Sequence, residues 1–375
     1  MDLSLDSTQK LIQESARDFV RNDCGRDALV KLDRDPSGIQ ANLWGKLAQL
    51  GWAGMAIPEQ YGGTGNSLTD VAVLFEELGA GPVPGPLFSS GVLCARLLVE
   101  AASEAQKKEW LPQIASGERV FALAVTEARY GWSAESVALA PRRDGTGFLL
   151  TGTKVFVHDA LFATDLLVMV RTPGGESLLR VDAKAAGVAI RPLEGFLAGM
   201  SEVKLENVRV SAHDLVGKEG GAWAAMQPAL LAAIPVLCAY KVGGCRAVFE
   251  LSVEYSRERI QFQQPIGRFQ RVQDHVIRIV NFLDAARWTT YEALWKLDTG
   301  RDAAASVHVA KAVSSESYMG ACDFAHEVHA GIGVMREYGL TLHTKMSRSL
   351  YHCLGAPALH RKRLESALGL VPEKP

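Results

Sequence analysis

The chain has 375 residues, of which 48% are hydrophobic and 22% are charged, and its formal net charge at pH 7 is −2. This balance is typical of a globular protein with a substantial core, and the length allows two or three domains or one large composite domain. A net charge so close to zero excludes a protein that holds nucleic acid or an anionic membrane surface by bulk electrostatics.

Targeting and membrane segments are not predicted. The first ten residues are acidic and polar, unlike a signal peptide. The longest apolar stretch, residues 224–240, contains Gln227, Pro228 and Pro235, so we expect a helix buried inside the protein rather than a membrane span. Six cysteines without a C-x-x-C pair favour a reducing, cytoplasmic setting.

The hydrophobic period divides the chain into three parts. Residues 1–118 have the spacing of amphipathic helices, interrupted by a glycine-rich structured loop at residues 50–65. Residues 119–220 change to the period of strands, and residues 221–375 return to the helical period. The order helices, strands, helices contains no βαβ alternation, which excludes a doubly wound nucleotide-binding fold.

Three segments of the middle part carry the strand prediction. Residues 166–170 form a short, continuous β-rich run, and residues 203–210 mostly alternate between apolar and polar side chains. Asp144-Gly145-Thr146-Gly147 is typical of the connection in a hairpin.

A turn at residues 259–270 is predicted to present a fixed cation. Arg259 ends one helical pattern, Pro265 and Gly267 break it, and Phe269 begins the next. The planar guanidinium suits a phosphate, because it donates two parallel hydrogen bonds. Capping of the preceding helix by the same arginine is the alternative.

This turn resembles the flavin-diphosphate turn of the acyl-CoA dehydrogenase family, whose pattern is roughly Arg-x-x-Phe-Gly-x-x-Ile-Gly-x-x-Gln. Arg259, Phe262 and Gln270 match that pattern, and Gln263 replaces the glycine after the phenylalanine. Other family motifs follow in the family's order along nearly the whole chain. They are the loop at 50–65, Thr126-Glu127, residues 151–154 and residues 329–333.

The resemblance implies an α+β fold with three domains. They are an N-terminal helical domain (1–118), a central antiparallel β-barrel or sandwich domain (119–220) and a C-terminal helix bundle (221–375). It also implies FAD as the cofactor and an acyl-CoA thioester as the substrate, with an electron-transferring flavoprotein as the electron acceptor.

A second family turn is glycine-rich and lets backbone amides approach the cofactor. Gly331 and Gly333 match it, whereas Glu327 stands for the family's glutamine and Ala330 for its first glycine. In homo-oligomeric relatives both turns contact the flavin of the neighbouring subunit. The resemblance therefore assigns cofactor contacts to the following residues: Arg259, Phe262, Gln270, Glu327, Gly331 and Gly333.

The segments that hold the flavin ring in relatives are altered. The family pattern Thr-Glu-Pro-x-Ala-Gly-Ser-Asp is reduced to Thr126, Glu127 and Gly131. In the pattern Lys-x-Trp-Ile-Thr-Asn-Gly, Phe156 replaces the tryptophan that packs on the ring, and His158 replaces the threonine that bonds to it. Thr126, Phe156 and His158 are the predicted ring contacts, with a strand-end surface role open for His158.

The family's catalytic carboxylate is missing from both of its known positions. The Glu-Gly-Thr position late in the chain holds Leu354-Gly355-Ala356, and the position on the first C-terminal helix holds Ala233. Neither leucine nor alanine can accept a proton, so no catalytic residue is predicted. Residues 220–239, around Ala233, contain no Asp or Glu, and residues 345–362 contain none either.

Division of labour in a hetero-oligomer explains this asymmetry. A related subunit would supply the base and the ring-facing loops. The expected assembly is an α2β2 hetero-oligomer. The pattern is similar to the heterotetrameric acyl-CoA dehydrogenases of bacterial steroid side-chain catabolism, which implies a bulky steroid acyl-CoA. Two alternatives stay open: a self-sufficient homotetramer with a displaced base at Glu254, Glu258 or His158, and a non-catalytic scaffold.

No metal site is predicted. His326 and His329 are three residues apart rather than at the spacing of H-E-x-x-H, and no third ligand pattern follows.

Overall fold

The computed structural model describes residues 4–34, 36–195 and 199–370. Helices dominate the first and last thirds of this described part, and strands lie between them, which confirms the predicted order. The α-helices are α1 Ser7–Asp23, α2 Arg26–Arg34, α3 Pro36–Gln49, α4 Leu68–Ala80, α5 Ala95–Ala101, α6 Glu104–Ala115, α7 Ala222–Glu258, α8 Gln270–Asp298, α9 Ala304–His329, α10 Leu340–His352 and α11 Pro357–Ala367. A π-helix, Leu87–Cys94, precedes α5.

The strands fall into two sheets and one short hairpin. They are β1 Phe121–Ala124, β2 Arg142–Asp144, β3 Gly147–His158, β4 Asp165–Thr172, β5 Gly175–Asp182, β6 Val188–Pro192, β7 Met200–Val210, β8 Ile260–Gln261 and β9 Gln264–Pro265. The glycine-rich loop at 50–65 holds only two short 3-10 turns, as predicted for a structured loop.

The chain separates into two compact units built from discontinuous segments. One unit, here called the helical unit, comprises Met1–Pro36, Ser67–Val83 and Ile234–Pro375. The other, here called the sheet unit, comprises Ser37–Asn66 and Pro84–Ala233. The boundaries predicted at 118 and 220 stay a prediction.

The sheet unit contains two open sheets. The first has the strand order β1-β4-β5, and the second has the order β2-β3-β7-β6. Apolar side chains from both sheets, such as Leu150, Leu166 and Val203, belong to one shared core. Because each sheet ends in edge strands, the described strands form no closed barrel, and of the predicted barrel or sandwich the structure has the sandwich.

The prediction of antiparallel strands is wrong for one pair. β1 runs parallel to β4, with Phe121 opposite Asp165. A parallel pair needs a long crossover connection, and the segment that contains β2 and β3 provides it. The remaining pairs of both sheets are antiparallel.

The predicted strand segments lie where the sequence placed them. Residues 166–170 lie in β4, which is buried along almost all of its length, as a continuous apolar run requires. Residues 203–210 lie in β7, where buried and solvent-facing residues mostly alternate. Asp144 pairs with Gly147 across the predicted hairpin, and Gly145 has a φ of +60°.

In the helical unit, α7, α8 and α9 share an apolar core. Val242, Ile279 and Ala325 are fully buried members of it. By length and composition α7 could cross a membrane, but 67% of its most apolar window is buried inside the protein, as core helices of globular proteins also are. This burial agrees with the predicted core helix at 224–240.

A buried ion pair connects α4 to α7, and a hydrogen bond connects α4 to α8, within the helical unit. Arg246 of α7 donates to the carboxylate of Glu77 at 2.6 Å, and Tyr291 of α8 donates to Glu76 at 2.7 Å. Both glutamates are buried, so each needs such a partner to offset the loss of hydration.

The predicted cation turn is a two-residue β-hairpin. α7 ends at Glu258, β8 pairs with β9, and Phe262 and Gln263 between them have φ angles of +50° and +65°. Two successive positive φ values are the geometry of a type I′ turn, which favours glycine or asparagine. Gln263 therefore holds a left-handed conformation at the position where the family pattern has glycine.

The substitution Gln263→Gly should raise the free energy of unfolding by about 1 kcal/mol, because glycine adopts this backbone without the steric cost of a Cβ. Urea denaturation of the two proteins measures the difference. Gln264→Gly is the matched control, since Gln264 lies one residue later in β9 without a positive φ, and it should destabilise by about 0.5–1 kcal/mol. Equal effects at both positions would contradict the strain at Gln263.

Candidate functional site

A cavity of about 530 Å³ in the helical unit brings the two predicted diphosphate turns together. Arg259 and Phe262 line it from the hairpin side, and Gly331 lines it from the segment that follows α9. These residues are about 70 positions apart in the sequence, as the numbering shows. The fold therefore assembles one concave site from two separate motifs.

The other three residues assigned to this site do not line the cavity. Gln270 is the exposed first residue of α8, and Glu327 is exposed in the last turn of α9. Gly333 is buried behind the turn. Their predicted contact with a cofactor stays a prediction.

The backbone of Arg259 is fixed on both sides of the hairpin. Its N–H donates to the carbonyl oxygen of Tyr255 at 2.9 Å, and its own carbonyl accepts from the N–H of Ile266 at 2.9 Å. The guanidinium has no hydrogen bond or ion pair with any residue that the structure describes, and it borders the cavity. An anchored backbone with an uncommitted cation suits an anionic ligand better than a helix cap.

Aromatic side chains form part of the cavity wall. Phe262, 86% exposed, packs edge-on against Phe269 with ring centroids 5.9 Å apart. Tyr255 stacks on His329 at 4.7 Å. Aromatic faces beside a cation offer stacking and charge to a ligand that joins a planar ring to phosphate, which is the chemistry of a dinucleotide end.

The glycine-rich turn contains one glycine that the chain itself does not require. A Cβ built on Gly331 would meet no atom within 4 Å, and its φ is not left-handed. A Cβ on Gly333 would instead lie 3.0 Å from the Cβ of His329. Gly333 serves internal packing, whereas Gly331 leaves room for a group that comes from outside the chain.

Ala330, between these features, has a φ of +51°. It stands where the family pattern has its first glycine, as Gln263 does in the hairpin. Both departures from the pattern therefore fall on backbone positions that favour glycine.

The predicted ring contacts lie in the sheet unit. The hydroxyl of Thr126 donates to the carbonyl of Val155, and the N–H of Val155 donates back to the carbonyl of Thr126 at 2.9 Å. This hydroxyl is thus engaged with the chain's own backbone. His158, half-buried, pairs with Met200 at the end of β3, which leaves its role open.

Phe156 is the exposed member of the predicted ring contacts. Its side chain is 41% exposed, its φ is +56°, and its ring meets the ring of Tyr130 edge-on at 5.9 Å.

The diphosphate half of the predicted site fits FAD, because it offers a cation, aromatic faces and an open glycine. The ring half does not fit in the same way, because the exposed Phe156 ring is already in edge-to-face contact with Tyr130.

A buried ion pair beside the ring segments was missed by the sequence reasoning. The ammonium of Lys154, fully buried in β3, donates to Glu127 at 2.7 Å and to the carbonyl of Val125 at 3.0 Å. The carboxylate of Glu127 also accepts from the backbone N–H groups of Ala138 and Leu139. Both residues stand in motifs that match the family, which was the available signal.

The pair anchors the loop after β1 against β3. Burial by itself raises the pKa of the Glu127 carboxyl, but Lys154 and the two backbone N–H groups lower it overall. Burial lowers the pKa of the Lys154 ammonium, and Glu127 opposes this change. The two charges stabilise each other where water cannot.

Replacing the ammonium by the apolar side chain in Lys154→Met should cost about 3 kcal/mol of unfolding free energy, because it leaves the Glu127 carboxylate half-buried without its cation. The lowered carboxyl pKa means that this difference shrinks as the pH falls below about 4.5. Urea denaturation at pH 7 and pH 3.5 tests both statements. Lys204→Met is the control, because the Lys204–Glu206 pair is exposed and screened by solvent, so its loss should leave the unfolding free energy nearly unchanged.

The two positions of the family's base hold apolar, buried side chains. Ala233 is fully buried in α7, and Leu354 is 2% exposed after α10. Of the displaced-base candidates, Glu254 and Glu258 are exposed on the last turns of α7. Glu254 follows Ala233 by about six helical turns at 3.6 residues each. Neither glutamate takes over the place of a base at Ala233.

Two buried side chains hold the backbone at Leu354 and Gly355. Lys311 donates to the carbonyl of Gly355 at 2.8 Å, and His360 bonds through Nε2 to the carbonyl of Leu354 at 3.0 Å. A carbonyl only accepts, so Nε2 carries the proton, and Nδ1 of the neutral His360 accepts from Nδ1–H of His308 at 3.2 Å. The segment is thus fixed by the side chain of Lys311 and by the imidazole of His360, which His308 holds in turn.

Stability should fall as the pH drops from 6.5 toward 4. Burial lowers the pKa of His308 to about 4 and that of His360 to about 2, so in this range only the unfolded imidazoles take up protons. Each imidazole contributes a slope of up to about 1.4 kcal/mol per pH unit. Urea denaturation between pH 7.5 and 4.5 measures the slope, which His360→Gln should reduce. An unchanged slope in that variant would refute the neutral buried state of His360.

The two histidines of the His326-Glu-Val-His329 segment have separate partners. His326 bonds through Nε2 to the hydroxyl of Thr344 at 2.7 Å, and His329 bonds through Nδ1 to the carbonyl of Ala325 at 2.7 Å. Within the described ranges, no three residues among His, Cys, Asp and Glu lie together in a way that could hold a metal ion. The six cysteines are free and buried.

Comparison with known proteins agrees with the expected fold. The 3-(aryl)acrylate reductase of Clostridium sporogenes is 29% identical over 343 residues, which cover 88% of this chain and 90% of that protein. The FAD complex of PigA has a TM-score of 0.91 at 25% identity and covers 99% of this chain and 100% of its own. The ChsE4-ChsE5 complex from Mycobacterium tuberculosis has a TM-score of 0.89 at 24% identity, with 99% and 100% covered, which shows the fold alone.

The family assignment follows from the match to two of its domains. Residues 6–118 match the N-terminal domain of acyl-CoA dehydrogenases, and residues 220–369 match the C-terminal domain. These matches confirm the predicted family and fold, and with the FAD complex they support FAD as the cofactor. Since the two domains together span well over half of its residues, the chain belongs to the acyl-CoA dehydrogenase family of FAD-binding oxidoreductases.

Proposed function

We propose that this chain is one subunit of a hetero-oligomeric acyl-CoA dehydrogenase, in which it holds the diphosphate end of a flavin that a related subunit completes. One observation carries the proposal. The cavity joins Arg259, Phe262 and Gly331 into a site for a dinucleotide end, whereas Leu354 and Ala233 occupy both positions of the base. Binding of the cofactor and proton removal are thus assigned to different chains.

The reaction of the family sets the requirements. A carboxylate beside the α-carbon of the thioester removes a proton, and FAD, when bound, supplies the acceptor for the hydride of the β-carbon. This chain offers Arg259 to neutralise the diphosphate and Gly331 to let its oxygens approach the backbone. It offers no carboxylate at Leu354 or Ala233, so the partner must bring the base.

The assembly, substrate and acceptor follow from the resemblance. An α2β2 tetramer with one flavin for every two chains fits one intact site for each pair of subunits. A bulky steroid acyl-CoA is the proposed substrate, and an electron-transferring flavoprotein is the proposed acceptor. Six free thiols support a reducing, cytoplasmic location.

The same observations give less support to two other functions. A self-sufficient homotetramer needs a base of its own, and Glu254 and Glu258 lie far along α7 from the helical base position. A silent scaffold needs no open cation, yet the guanidinium of Arg259 borders the cavity without a partner in the described part of the chain.

Co-expression with a related acyl-CoA dehydrogenase chain that carries the Glu-Gly-Thr base tests the proposal. The purified complex should contain one flavin for every two chains, as measured by absorbance after denaturation. Gly331→Ala in this chain should lower the flavin content at least tenfold without changing thermal stability, because the added methyl meets only the ligand.

Gly45→Ala is the matched control. Gly45 also has no atom within 4 Å of its missing Cβ, but it lies in α3 and does not line the cavity. This variant should keep its flavin. One flavin in every chain, or full flavin content in Gly331→Ala, would contradict the shared site.

A further inference from the structure

An exposed aromatic pair marks the surface of the sheet unit. Tyr130 and Phe156 are 43% and 41% exposed, and their rings meet edge-on with centroids 5.9 Å apart and planes at 81°. Large aromatic side chains on a surface usually mark a site of contact with a ligand or another chain. Here each ring covers part of the other.

The backbone on both sides of this contact is held in place. Phe156 has a φ of +56°, a strained value for a bulky residue, and Asp159 follows with +57°. The bonds between Thr126 and Val155 and the Lys154–Glu127 pair fix the two loops on the protein side. The position of Phe156 is therefore set by the fold rather than by Tyr130.

The loop that carries Tyr130 is also tightly folded. A Cβ on Gly131 would lie 2.5 Å from the Cβ of Ser136, and the Ser136 hydroxyl donates to the carbonyl of Ser133 at 2.6 Å. Tyr130 stands where the family pattern has alanine, whose methyl could not reach the ring at position 156. A small residue there would leave the face of Phe156 open.

We propose that Tyr130 closes the flavin-ring position of this chain by packing its own ring against Phe156. The inference rests on the proposed function and names the residue that prevents this chain from holding an isoalloxazine itself. Phe156 keeps the aromatic surface on which a planar ring could stack, and Tyr130 occupies the approach to it. The chain can then serve its partner's flavin without competing for a flavin of its own.

Titration of the purified full-length chain with riboflavin tests this idea. Riboflavin carries the isoalloxazine but no phosphate, so it cannot pair with Arg259, and any stacking in that cavity is unchanged by substitutions at Tyr130. Quenching of its fluorescence should give at least tenfold tighter binding for Tyr130→Ala than for the unaltered chain. Tyr130→Phe retains the ring, and its affinity should equal that of the unaltered chain.

The double variant Tyr130→Ala/Phe156→Ala separates an opened site from a loosened loop. Removal of Phe156 takes away the stacking face, so the gain in riboflavin affinity should disappear. If the loop itself loosened, thermal unfolding would show it, and Tyr130→Ser then replaces Tyr130→Ala. Equal affinities for Tyr130→Ala and Tyr130→Phe would overturn the inference.

The result of the riboflavin titration does not depend on the result of the co-expression experiment. Retention of flavin by the Gly331→Ala complex would remove the shared site and leave the titration unaffected. Tight riboflavin binding by the unaltered chain would show an open ring position and overturn the role of Tyr130, even if the complex contains one flavin for every two chains.

Discussion

Two backbone hydrogen bonds decide where Arg259 can act. They join its N–H to Tyr255 and its carbonyl to Ile266, and thereby connect the end of α7 to the hairpin. Its guanidinium borders the cavity and donates to no residue that the structure describes, so its planar fork stays available to an anion. The aromatic wall and Gly331 complete the site only because this cation stays in place.

The predicted flavin contacts of the two units differ in what they keep free. In the helical unit the cation, the aromatic faces and Gly331 remain open toward the cavity. In the sheet unit the Thr126 hydroxyl is bonded to Val155, and Phe156 is in contact with Tyr130. A chain with one open half and one occupied half suits a shared site better than an independent one.

Buried polar side chains stabilise the segments around the predicted ring contacts and around Leu354. Lys154 and Glu127 stabilise the loops of the ring segments, and Lys311 and His360 hold the backbone at Leu354. The scaffold of an active site is thus maintained at positions where no residue can perform its proton transfer. Such buried polar contacts stabilise the fold regardless of activity, because each partner would be costly to leave alone.

The sequence by itself determined the order of elements and the family, and it predicted the missing base, because apolar periods, spaced motifs and the absence of a carboxylate are local properties. It also placed the turn at 259–270, although as a loop rather than a type I′ hairpin. Only the tertiary structure decided that Arg259 and Gly331 border one cavity and that Gly331, unlike Gly333, has no internal neighbour. It alone showed that Tyr130 covers Phe156 and that the sheets stay open. These facts depend on contacts between residues far apart in the chain, which no local pattern encodes.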